Sequence, residues 1–178
     1  MTEGQGQARI ADVSDGAVTL PVMATADDGT HPDPVMARIG AALALGQQGR
    51  RAEAGEAFAA IWGDIEGGDP LHRLTLAHHM ADVQDDAGEE LAWDQRALAA
   101  ADEVTDERAA AAGATGPVAA FYPSLHLNLG EDYRKLGDLA AARRHLDLGS
   151  RAAAALGDDG YGSMIKAGLA GLADRLAT

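Results

Sequence analysis

Residues 123–156, PSLHLNLGEDYRKLGDLAAARRHLDLGSRAAAAL, constrain the fold more than any other stretch. Leu125, Leu129, Tyr133 and Leu136 fall at spacings of 4, 4 and 3, which puts them on one face of a helix. Gly137 stops that helix and Asp138 is placed to cap the next. A second stripe follows in Leu139, Ala142, Leu146, Gly149, Ala153 and Leu156. Neither helix can bury its stripe alone, so the pair requires neighbours, and two weaker copies of the unit lie upstream. An all-α array of stacked helix pairs is the architecture expected.

Leu129-Gly130, Tyr133 and Ala142 sit at the spacing L-G-x2-Y-x8-A, with Gly137 at the turn between helices. On these residues the chain resembles tetratricopeptide-repeat proteins, with His126 where that signature opens on Trp. The likeness extends over about residues 34–177, and about 30 residues match it well. The resemblance implies a right-handed array of antiparallel helix pairs, about three pairs plus a C-terminal capping helix. It also implies that the first helix of each pair lines a concave groove.

In chain order, residues 1–31 carry no helical stripe and read as a flexible or loosely packed arm, ahead of a repeat domain over 32–178. Within the arm, Val18, Leu20 and Val22 alternate as in a short strand, which could dock into a groove. Asp33-Pro34 and Asp69-Pro70 each read as a cap followed by Pro at the first helical position. The helix from Pro34 stops near Gly49, and the next starts near Arg51 and carries Phe58, Ile61, Trp62 and Ile65. A helix over 70–84 follows, then one in which Leu91, Trp93, Ala97 and Leu98 pack while Asp94, Gln95 and Arg96 are solvated. Gly49, Gly88 and Gly137 read as equivalent turns, 39 and 49 residues apart, against about 34 in an ordinary repeat. The excess lies in 105–121, as a helical extension or a short extra turn. A last helix with Ile165, Leu169, Leu172 and Leu176 closes the array, its Gly168 and Gly171 suggesting close contact with the helix begun at Leu139.

Charge bears on partners. The chain has 28 acidic and 14 basic residues, a net −14, which repels nucleic acid and anionic membranes and favours basic or neutral partners. Lys135 and Lys166 are the only lysines; with the Ala and Gly excess, the preference for Arg is that of a high-GC bacterial genome. With no cysteine there is neither a disulfide framework nor a thiolate site, and with no secretory pattern or spanning apolar run the expected location is cytoplasmic.

Candidate site residues cluster on the first helices of the pairs. The polar arc of the 70–84 helix holds His72, Thr75, His78, His79, Asp82, Asp85 and Asp86. His78 and Asp82 are one turn apart, a spacing at which the carboxylate can fix the imidazole tautomer; His72 and His79 are two turns apart. If the resemblance holds, this arc faces His126, Asn128 and Tyr133, with Tyr122 completing an aromatic wall. The bland alternative is a solvated helix face, with Trp62 and Trp93 in the core and Arg143, Arg144 and Arg151 a solvated strip.

The sequence secures two metal ligands at best where three or four are needed, so no metal and no cofactor is expected. No catalytic motif of established spacing occurs, and no catalytic residue is assigned. The leading expectation is an interaction module that binds a protein or peptide in its groove. The alternative is a small-molecule binder or enzyme using the His, Asp and Tyr residues. Self-association as a homodimer is a third reading, compatible with the first.

Overall fold

The computed structural model describes residues 33–178, so the expected arm at 1–31 and its alternating segment lie outside the described residues. The described chain is all helical. It forms α1 (Pro34–Gln47), α2 (Arg51–Ile65), α3 (Pro70–Ala81), α4 (Ala87–Ala101), the short α5 (Asp106–Ala111), α6 (Tyr122–Lys135), α7 (Leu139–Ala152) and α8 (Gly160–Ala177). Single 3-10 turns at Val118–Ala120 and Ala153–Ala155 precede α6 and follow α7. Among the described residues no helix is long and apolar enough to cross a membrane.

Local chemistry sets the helix starts. The Asp33 carboxylate accepts from the Val35 and Met36 amides, and Asp69 from Leu71, each ahead of a proline that lacks the amide a helix start leaves unpaired. Asp86, Thr105, Asp138 and Asp159 cap α4, α5, α7 and α8 in the same way. Each such cap stabilises by about 1 kcal/mol. Gly49 and Gly137 turn the chain with φ of 78° and 83°, the left-handed region that a Cβ disfavours. Gly88 plays no such part. It lies in the first turn of α4, and the bend before it is made by residues 82–86, so the expected equivalence of the three glycines does not hold.

Consecutive pairs α1/α2, α3/α4 and α6/α7 stack side by side, and α8 covers the last pair by packing on both α6 and α7. Three apolar clusters fill the seams. Ile39, Phe58, Ile61 and Leu76 join the first pair to α3. Leu71, Leu74, Ala97, Ala109, Val118, Phe121 and Leu125 join α3, α4 and the 105–121 insert to α6. Leu127, Ala142, Ile165, Leu169 and Leu172 join α6 and α7 to α8. Gly130 and Gly168 are the close-approach points. A Cβ on Gly130 would stand 2.6 Å from Leu172 Cδ2, and one on Gly168 2.6 Å from Leu127 Cδ2. Gly168 therefore abuts α6 rather than the α7 helix expected from sequence, and Gly149 is the residue that brings α7 against α8. The stripe of the 123–156 stretch breaks at its turn, where Leu136 and Leu139 are 48% and 43% exposed on either side of Gly137.

The insert is a structural element in its own right. Arg108 of α5 donates from Nε to Asp69 Oδ2 at 2.6 Å and from Nη2 to Asp33 Oδ2 at 3.1 Å, so one guanidinium ties the caps of α1 and α3. His72 Nε2 meets the same Asp33 oxygen at 2.7 Å. Burial acts to raise the Asp33 pKa, but the His72 bond and the two amide bonds outweigh it and hold the carboxyl below its ordinary value.

Candidate functional site

Thr75, His78 and His79 of α3 are inside the molecule. Every residue from Leu74 to Ala81 is buried, His78 and His79 completely. The expectation of a polar arc facing a concave groove is therefore corrected. α3 is flanked by α1 and α2 on one side and by α4 on the other, and the insert's Ala109, Val118 and Phe121 share its apolar cluster. The solvated-face alternative fails for His78 and His79 for the same reason.

Burying imidazoles and carboxylates is costly unless they answer one another. His79 Nδ1 lies 3.5 Å from Asp82 Oδ2, and His78 Nδ1 lies 4.0 Å from Asp94 Oδ1. The pairing differs from the one-turn spacing, which joined His78 to Asp82. Asp82 ends α3 as its C-cap, where the i,i+3 partner His79 is the nearer. The two rings sit edge to face with centroids 5.1 Å apart, and Phe58 stacks on His79 at 6.5 Å. One donor atom from each of His78, His79 and Asp82 falls within 4.8 Å of the others. The Nε2 atom of His79 is buried and has no hydrogen-bond partner among the described residues.

Asp94 extends the cluster into α4 and α6. It was expected to be solvated, yet it is only 1% exposed. Its Oδ1 accepts from Asn128 Nδ2 at 3.4 Å, and Asp132 of α6, equally buried, lies within hydrogen-bond reach. Burial first, and the Asp132 charge second, push the Asp94 carboxyl well above the ordinary range. Burial and then Glu90 push Asp132 up to about 7. Lys135 Nζ bonds both Glu90 oxygens at 2.6 and 2.7 Å and reaches Asp132 at 3.6 Å. Two carboxyls in one dry site cannot both ionise freely.

The remaining predicted residues form a separate group. Tyr122, His126, His145 and Tyr133 make a ladder of rings with successive centroids 6.3, 5.3 and 5.3 Å apart. His126 and His145 meet through their Nδ1 atoms at 3.2 Å. The Tyr122 hydroxyl donates to Asp102 at 2.7 Å; burial and that bond raise its pKa to about 12. The Tyr133 hydroxyl accepts from Gln95 at 3.0 Å. His126 thus joins Tyr122 and His145, not His78 and Asp82, and the convergence a closed His78–Asp82–His126 pocket requires does not occur. His72 is bound up with Asp33 and Arg108 at the start of α3. Trp62 and Trp93 pack edge to face at 5.0 Å between the first two pairs, as expected. Sequence reasoning missed Asp94, Asp132 and His145, whose partners come from other helices and leave no local spacing to read.

A cleft of about 380 Å³ opens on the other side of the last pair, between α7 and α8. Leu146, Ala153, Leu169 and Ala173 supply apolar walls, and Asp147 and Lys166 the charged ones. Leu148 and Met164 on the same two helices are exposed. Comparison of the chain with protein-family models, with curated proteins and with solved structures found no match.

Proposed function

We propose that the chain is a tetratricopeptide-like interaction module that binds a protein or peptide partner and carries out no catalysis of its own. The observation that carries this reading is the open α7–α8 cleft, an apolar trough flanked by Asp147 and Lys166, where α8 meets the second helix of the pair that bears the repeat signature. Its volume falls in the range of small binding sites, and its small Ala and Ser walls admit the side chains of a helix or an extended segment. The α3 face from Leu74 to Ala81, buried throughout, is not available for such contact. A net charge of −14 favours a basic or neutral partner in a cytoplasmic setting.

Selection of peptides from a display library on the full chain tests the reading. Selected peptides are expected to lose at least tenfold in affinity on Ala170→Arg, a change at an exposed position of the cleft, and to be indifferent to Ala59→Arg on exposed α2. Peptides that bind equally well to both variants overturn it.

A further inference from the structure

We propose that His78, His79 and Asp82 of α3, together with Asp94 of α4, form a binding site for one divalent transition-metal ion of the zinc type. This site is separate from the α7–α8 cleft and is marked by the spacing and burial of its side chains.

Three of the four potential donors lie on one turn of α3, with a donor atom of each within 4.8 Å of the other two. Asp94 enters from the facing helix. The two short cross-distances, 3.5 Å from His79 Nδ1 to Asp82 Oδ2 and 4.0 Å from His78 Nδ1 to Asp94 Oδ1, are poor for hydrogen bonds, which centre near 2.9 Å. They lie close to the separation of about 3.4 Å that tetrahedral geometry imposes between ligand atoms bound at roughly 2.0–2.2 Å. The three α3 donors already lie within 4.8 Å of one another, and Asp94, which meets the set at His78, must turn toward the other two to complete that edge length.

The donor set selects the ion. Two imidazoles and two carboxylates suit zinc and its neighbours, whereas magnesium and calcium prefer oxygen alone. With the Asp94 proton released on binding, two carboxylates balance the charge of a dication, which makes the burial of both His rings and Asp94 reasonable where purely apolar residues would otherwise serve. Around the donors, Asn128 holds Asp94 Oδ1 at 3.4 Å and the Phe58 ring packs on His79, the kind of support that fixes ligand orientation. Asp82 is the partly exposed member and marks the side from which an ion enters. Since the other donors are closed off from solvent, the ion is a staple between α3 and α4 rather than a reaction centre.

The experiment uses the full chain stripped with chelator and dialysed. Zn²⁺ is titrated in competition with a chromogenic chelator, and Co²⁺ is used as a spectroscopic stand-in. The expected result is one equivalent bound, tetrahedral Co²⁺ bands, and a melting temperature that rises with free Zn²⁺. His79→Gln and Asp82→Asn are expected to lower affinity at least tenfold, and His126→Gln, in the separate ring ladder, to leave it unchanged. Asp82→Asn decides the matter if the buried His79 variant does not fold, because Asp82 sits at the partly exposed end of α3. A wild-type melting temperature unmoved by Zn²⁺, or equal Zn²⁺ affinity in wild type and Asp82→Asn, overturns the proposal.

Discussion

Acidification from pH 7.5 to pH 5 should destabilise the fold through His145, by an amount the structure sets. His145 is buried against His126 and Tyr133, 8% exposed. Burial first, then the nearby His126 and Arg144, lower its pKa from 6.5 to about 4. The His126 pKa is lowered as well, chiefly by burial and against the pull of Asp102. The geometry explains the direction: the two Nδ1 atoms are 3.2 Å apart and can share one proton but not two. Folding holds the His145 imidazole neutral, so below about 6.5 the unfolded chain binds more protons and stability falls with pH. The loss is complete near 4, where both states are protonated. For one group titrating between those limits, the loss by pH 5 is about 2 kcal/mol. Carboxylates also titrate in this range, and the raised Asp94 acts with the opposite sign, so the quantity to measure is a difference. Urea unfolding of wild type and His145→Gln at the two pH values isolates it: the variant's stability should fall by about 2 kcal/mol less than that of wild type. Parallel losses in the two proteins would refute the argument, because they would mean that His145 protonates as readily in the fold as in the open chain.

Three further outcomes follow from packing. Arg108→Ala removes two charged hydrogen bonds from partly buried aspartates and should lower stability by about 1–3 kcal/mol in the same urea assay; Arg108→Lys, without the forked geometry, should not restore it. Gly130→Ala places a methyl group 2.6 Å from the fully buried Leu172 and should cost about 1–3 kcal/mol by thermal unfolding, while Gly63→Ala, with nothing within 4 Å, should be neutral or slightly stabilising. Gly137→Ala meets no atom but forces a Cβ to φ of 83°, and should cost about 1 kcal/mol, read as a lower urea midpoint.

Much of the fold was legible because its signals are local. The two Asp-Pro starts, the Gly49 and Gly137 stops and the 3.6-residue stripes report on backbone within one or two turns, and the helices they predict are present. The candidate site was less legible because its pairings are not local. A helical wheel shows that His78 and His79 share an arc with Asp82, but not that the arc is roofed over. That depends on residues of other helices, the Phe58 ring of α2 on His79 and Asp94 of α4 at His78. Asp94 looks like an ordinary outward acid until Asn128, 34 residues later, and Asp132 arrive beside it. His145 is likewise fixed by His126, 19 residues away, on the opposite helix of the pair. The exposed Leu136 and Leu139 err the other way: they keep the periodicity of a buried stripe at a turn that, among the described residues, leaves them largely uncovered.

The guanidinium of Arg108 joins chain positions 75 residues apart, from the insert back to Asp33. In a simple linear array each unit touches only its neighbours, so the ends can fray while the middle persists and melting spreads over several steps. Here the first helix cannot peel away without releasing a charge contact made by a segment that also packs on α3 and α6. The first described helix is thereby coupled to the centre by a contact that a simple array lacks, which favours opening of the two together over fraying of one end.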